Sequence, residues 1–253
     1  GIFQFTEKGA QTFATKAQPK SIIDIAAITS IYRPGPLSAG VDKQYVAAIN
    51  DTLSISYLHE LVEEVTKETY GFLIFQEQIA LLAYKLGEGI SMDEANLLRK
   101  VLTKKGTGKG HEVKEAIKEK FITGCEKKEI KKKDAEQLWA TFEYFSGYGF
   151  NKSHAVSYSI ISFQCAWLYN YFPTEWMCSF LDREPDTRKE KAINIAKSHG
   201  FTISDIGINV SGESWEATGS TSLVAPLTTI KGLGDKAIEE IVANRPFETV
   251  EDL

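Results

Sequence analysis

The sequence predicts a mainly α-helical protein with a small α/β subdomain at its C-terminal end. Three observations lead there. Apolar residues recur at helical spacing through residues 21–32, 91–105 and 155–172. Helix start and stop signals bracket these runs; Ser91 and Glu94, for example, stand three apart in the order of a capping box. After Asp182 the composition changes, and strand-like runs at 201–214 and 223–227 replace the helical pattern. A boundary near Asp182 then gives a helical core over 1–181 and a smaller subdomain over 182–253.

The chain has 253 residues, 43% hydrophobic and 25% charged, enough apolar material for one sizeable core or two small ones. The net charge of −5 argues against a nucleic-acid binder as a whole. The sum hides a distribution: between Thr103 and Lys133 eleven Lys stand against five Glu, a local +6 on a body of −11. Such a segment suits a localized phosphate-binding face or a solvated helix face. Cys125, Cys165 and Cys178 form no CxxC pair, and the four histidines show no metal-ligand spacing. A sparse, odd cysteine set fits a reducing cytoplasm. No run reaches the roughly 18 apolar residues of a membrane span, and no basic-then-apolar leader is present. The GIFQF opening and the abrupt end at Leu253 lead us to expect a fragment of a longer polypeptide.

In order, a helix is expected from Lys8 and another over 21–32, ending where Pro34 removes a donor and holds Arg33 extended. Asp24, in the first turn behind Ser21, serves the helix dipole better than catalysis. Pro34 and Pro36 bracket Gly35 in a rigid turn over 33–40. That turn fixes Arg33 either near a nucleic acid or as a surface charge at a corner. A short helix covers 45–50. Gln76, Glu77 and Gln78 open a helix through Ala83 and read as capping and interhelical polar contacts. On the helix over 91–105, Lys100 and Lys104 share a face, with Arg99 about 100° away. The run GTGKG (106–110) is not a phosphate-binding Walker loop, because Gly110 stands where Ser or Thr is needed. Helices follow over 111–120 and 135–145, with a Lys-rich segment at 127–133 between them. The aromatic residues of the 155–172 helix are assigned mostly to core packing. Pro173 opens the next helix. The run TIKGLGDKAIEEI (229–241) resembles the second half of a helix-hairpin-helix, in which turn amides contact a DNA phosphate. Lys231, Gly232 and Gly234 are its candidate DNA-binding residues; a glycine turn capping a packed helix is the other reading.

The stretch FSGYGFNKSHAVSY (145–158) is the most informative. Gly147 and Gly149 break a helical run, Asn151 and Ser153 are good N-cap residues, and an apolar helix follows. Free amides and a positive dipole end beside Lys152 and His154 make a place for a phosphate.

This stretch closely resembles the fingers domain of the C-family bacterial replicative polymerase, the DNA polymerase III alpha subunit. YRPGPLSAG (32–40), ETYGFLIFQEQI (68–79) and ANLLRKVLTKK (95–105) resemble further blocks of that family, in family order. The resemblance implies a helical fingers domain that grips an incoming dNTP and primer-template DNA. It assigns the triphosphate to Arg99, Lys100, Lys104 and Lys105, the triphosphate or the nascent pair to Lys152 and His154, and DNA contacts to Arg33 and Asn151. Where the family has an Arg-Arg pair this chain has Arg99-Lys100, which keeps charge but loses one bidentate fork. It also implies nucleotidyl transfer with two Mg2+ ions held by palm aspartates; no Asp-x-Asp pair occurs here, so those acids are expected outside the chain. A sliding clamp would be met through regions outside the chain, in the cytoplasm. A non-catalytic DNA-binding module on the same fold, and a structural fragment with a merely solvated Lys run, are the rival readings.

Overall fold

The computed structural model describes residues 1–103, 109–146 and 149–252. Contacts divide the chain into two compact units, Ile2–Phe163 and Gln164–Leu253 with Gly1.

In the first unit, α1 (Lys8–Ala17), α2 (Ile22–Ile31), α3 (Pro34–Ser38) and α4 (Val41–Ile49) precede α5 (Glu60–Thr66) and α6 (Gln76–Leu86). Then come α7 (Met92–Thr103), α8 (Lys109–Lys127), α9 (Lys132–Ser146) and α10 (Lys152–Tyr171), the last running past the division between the units. The starts follow their sequence signals. Ser21 Oγ accepts the Asp24 amide at 3.1 Å while Asp24 accepts the Ser21 amide at 2.9 Å, so Asp24 completes a capping box. The Ser91–Glu94 box forms in the same way, at 3.2 and 2.9 Å. Residues 33–40, expected as a turn, contain the short helix α3 instead. Pro34 sits in its first turn, where a missing N–H costs nothing, and Arg33 is extended before it at φ −147° and ψ 154°. Helices α8 and α9 run longer than the sequence pattern suggested, and the last two residues of the GTGKG run, Lys109 and Gly110, already belong to α8.

Two cores form in this unit. Helices α5 to α9 close around Phe121, Trp139 and Phe142, whose ring centroids lie 5.2–5.8 Å apart. Helices α1, α2 and α4 close around Ile28, Ile31 and Tyr45, joined by Ile74 and Phe75. The segment just before α6 therefore contributes to one core and α6 itself to the other. The aromatic residues of α10 do not enter either core as expected. Its buried positions are Ala155, Ser159 and Ser162, while Tyr158, Phe163, Trp167 and Tyr171 are 38–62% exposed. The helix is apolar on several sides, and the small-residue side is the one that admits close approach. Among the described residues no helix is long and apolar enough to cross a membrane.

In the second unit α11 (Pro173–Arg183) and α12 (Asp186–Ser198) pack on a three-stranded sheet. Strands β1 (Thr202–Ser204) and β3 (Ser222–Val224) run parallel, and β2 (Glu216–Gly219) joins β3 antiparallel. Strand β2 had no apolar signature because all of its residues are exposed. Met177, Leu181, Ala196, Trp215 and Leu223 fill the core beneath. A single 3-10 turn (Leu227–Thr229) precedes α13 (Asp235–Ala243).

Two measurements test this packing. Gly124 of α8 lies against the turn after α6: a Cβ there would stand 2.2 Å from the Leu86 carbonyl and 2.3 Å from the Glu88 amide. Backbone cannot yield as a side chain does, so Gly124→Ala is expected to cost about 3 kcal/mol in urea unfolding. Burial destabilises the thiolates of Cys125 and Cys178 and pushes both up to about 11, while Cys165 is only half-buried. A thiol reagent at about pH 8 should therefore find one fast thiol in the native chain, Cys165, and all three after denaturation.

Candidate functional site

The site is built where the 149–154 loop meets the segment before α6. The Phe150 amide donates to the Ile74 carbonyl at 3.1 Å, and the Gln76 amide donates back to the Phe150 carbonyl at 2.9 Å. The Gln76 side chain donates to the Gly149 carbonyl at 2.9 Å. Buried Gln78 supports the α6 side of this bridge. Its Oε1 accepts the Ile74 and Phe75 amides, both at 2.9 Å, and its Nε2 donates to Thr69 Oγ1 at 2.7 Å.

Between Gln76 and Gln78, Glu77 reaches across to α10. Its Oε2 accepts the Lys152 amide at 2.9 Å, and its Oε1 accepts Asn151 Nδ2 at 2.9 Å and Arg99 Nη1 at 3.3 Å. Asn151 caps α10 as its position suggested, accepting the His154 amide at 2.8 Å and the Ser153 hydroxyl at 2.7 Å. The carboxylate thus sits at the first turn of its own helix and against the first turn of α10, where two positive dipole ends stabilise it. Lys152 Nζ pairs with Glu68 at 2.5 Å and lies 5.8 Å from the centre of the Phe75 ring.

On the other side of the loop, the Arg33 guanidinium stands 4.7 Å from the centre of the Phe150 ring, and its Nε donates to the Ser30 carbonyl at 2.7 Å. Burial pushes its pKa down from the ordinary arginine value, and it remains a cation. His154 is exposed and lies 5.4 Å from the Phe150 ring and 4.3 Å from Tyr158, centre to centre. Two basic side chains and two carboxylates therefore meet within one partly open cluster, with aromatic rings beside them. Each pair is 23–38% exposed, so each contributes about 1 kcal/mol at most.

The family model for the "Bacterial DNA polymerase III alpha subunit finger domain" matches residues 1–129. The chain belongs to that family. DNA polymerase III subunit alpha of Treponema pallidum is 33% identical over 252 residues, covering 97% of this chain and 21% of the relative. The same subunit of Borreliella burgdorferi is 34% identical over 257 residues, covering 99% of this chain and 22% of the relative. That of Aquifex aeolicus is 33% identical over 246 residues, covering 97% and 21%. The chain spans about a fifth of the length of these curated relatives.

The structure brings Arg33 and Arg99, inside the matched stretch, together with Asn151, Lys152 and His154 beyond it. Lys100 is exposed on α7, one position beyond Arg99. Lys104, Lys105, Gly147 and residues 106–108 lie outside the described residues. Three lysines of the basic segment pair with carboxylates on neighbouring elements: Lys114 with Glu143 at 2.9 Å, Lys120 with Glu94 at 2.5 Å, and Lys127 with Glu88 at 2.9 Å. Glu77 makes the interhelical polar contact expected of it, though its partners were not identified from the sequence, and Glu68 was missed. Glu77 carried one signal, its place beside a buried capping glutamine, but Arg99 and Asn151 are too far along the chain for any helical spacing to reveal the contact. In the second unit Lys231, Gly232 and Gly234 are exposed. Gly232 has φ +94°, which a side chain rarely adopts, and Gly234 is the N-cap of α13. Among the described residues the amides of Gly232 and Gly234 make no hydrogen bond, and no group of three or more His, Cys, Asp or Glu could hold a metal ion.

Gln78 is the support whose loss the site should feel most. Gln78→Ala leaves the buried Ile74 and Phe75 amides without a partner, while the Thr69 hydroxyl keeps its bonds to the Thr66 and Phe72 carbonyls. We expect a loss of about 2–4 kcal/mol in urea unfolding, with the Phe150 amide exchanging faster in hydrogen-exchange NMR.

Proposed function

We propose that this chain is the part of a DNA-directed DNA polymerase that binds the triphosphate of the incoming dNTP and the primer-template DNA. The observation that carries the reading is the convergence of Arg99, from α7, with Asn151 and Lys152, from the start of α10, on one carboxylate. Arg99 can neutralise part of the charge of a triphosphate or a leaving pyrophosphate, and Asn151 Nδ2 and the Lys152 amide are neutral donors that can hydrogen-bond its oxygens. His154 stands beside them with Phe150 and Tyr158, a ring edge suited to a base or sugar. Lys104 and Lys105 continue the sequence of α7 and belong to the same proposed set, as does Lys100. Arg33 would act through Phe150, holding the loop that carries Asn151.

The reaction would be attack of a primer hydroxyl on the nucleotide's α-phosphate with loss of pyrophosphate. Two Mg2+ ions would supply the Lewis-acid chemistry, held by carboxylates outside this chain. Among the described residues no group of acids fits such a centre. What this chain's residues do is bind and orient charge. The Lys231–Gly234 turn would give its two open glycine amides to a DNA phosphate without reading sequence. Partners beyond DNA and nucleotide, such as a sliding clamp, would be met outside the chain.

Arg99→Ala in the parent polymerase tests the reading. A charge-assisted contact to phosphate is worth about 1.5–3 kcal/mol, so dNTP affinity should fall on the order of tenfold to a hundredfold while primer-template binding changes little. Equal loss of both would sink the assignment. An open reading frame with no Asp-x-Asp pair upstream would favour a DNA-binding relative without catalysis.

A further inference from the structure

We propose that Glu77 is an internal counter-anion for Arg99: it holds the empty site together and competes with a polyphosphate for that guanidinium. The inference rests on the reading of Arg99 as a triphosphate ligand.

Glu77 already occupies the position an anion would take. Its carboxylate accepts the Lys152 amide and Asn151 Nδ2, each at 2.9 Å, at the start of α10. Those two bonds hold it toward α10, and Arg99 is left with what remains. The Arg99 Nη1 contact is 3.3 Å, long beside the roughly 2.7–2.9 Å of a well-made charge-assisted bond. Arg99 Nε is buried and has no hydrogen-bond partner. A buried donor without a partner is uncommon and calls for a reason. A guanidinium with one loose contact and a buried, unpartnered Nε leaves part of its donor fork unused. Glu77 cannot fill that fork without giving up α10. A phosphate chain brings more charge and more oxygens than one carboxylate, so it can take Arg99 while Glu77 keeps the loop in place. Glu68 plays a parallel part for Lys152 at 2.5 Å, with no contact to Arg99.

The measurement is a double-mutant cycle on the 253-residue chain with inorganic tripolyphosphate as probe, by calorimetry at fixed salt, with each variant's fold checked by circular dichroism. Removing competition from a partly exposed ion pair should make Glu77→Gln bind about two- to fivefold tighter. In an Arg99→Ala background the gain should vanish, because the group competed for is gone. Glu68→Gln is the control: its gain acts through Lys152 and should persist in that background. If Arg99→Ala weakens binding while Glu77→Gln weakens it too or leaves it unchanged, the counter-anion falls and the nucleotide site stands. If Arg99→Ala changes nothing, or the wild-type chain binds no tripolyphosphate, the nucleotide reading falls and takes this proposal with it. Should Glu77→Gln fail to fold, the wild-type chain decides by NMR. The Arg99 Nε–H signal is expected to shift and exchange more slowly on adding tripolyphosphate, and an unmoved signal overturns the proposal.

Discussion

The Glu77 carboxylate joins three pieces of chain that the sequence keeps far apart. Arg99 comes from α7, Asn151 and the Lys152 amide from the start of α10, and Glu77 itself from the first turn of α6. No single bond here is strong, because all the groups keep some access to water. The arrangement holds because the bonds are reinforced by backbone. Phe150 is bridged on both sides to Ile74 and Gln76, and Gln78 satisfies the amides behind them. Loosen the carboxylate and the start of α10 loses two of its partners; loosen the bridge and the carboxylate loses its target.

The same segment also sits at the junction of two cores. Ile74 and Phe75 belong to the core of α1, α2 and α4, whereas Ile79, Leu82 and Leu86 belong to that of α5 to α9. The cluster of charged groups is therefore mounted where both cores meet, on elements whose positions are fixed by packing. A binding site gains from such mounting, since displacement of its donors by even about 1 Å can cost much of the binding they provide. Arg33 is part of the same mounting: pressed on Phe150 and half-buried, it stiffens the loop from the opposite side.

Charge in this protein is more evenly settled than the sequence distribution suggests. The basic segment near α8 is answered by Glu88, Glu94 and Glu143 on neighbouring elements. Arg99 and Lys152 are answered by Glu77 and Glu68. Several cations of this acidic chain are thus met by its own carboxylates.

Much was legible in the sequence, and for identifiable reasons. Local signals fixed local structure: Ser21 with Asp24, Ser91 with Glu94, Asn151 before α10, and Pro173 at a helix start each act within a few residues. The four blocks from Tyr32 to Tyr158 carried the family in the same way, as strings of adjacent residues. Strand β2 was not legible, because its residues are all exposed and its pairing with β3 is a long-range bond. The outward aromatic residues of α10 were not legible either, since a helix apolar on several sides does not say which side a neighbour will take. By itself the sequence determined most of the helices, several of their caps and the family. Only the tertiary structure decided that Glu77 would stand among Arg99, Asn151 and Lys152, because that contact depends on where packed elements end up and not on any spacing along the chain.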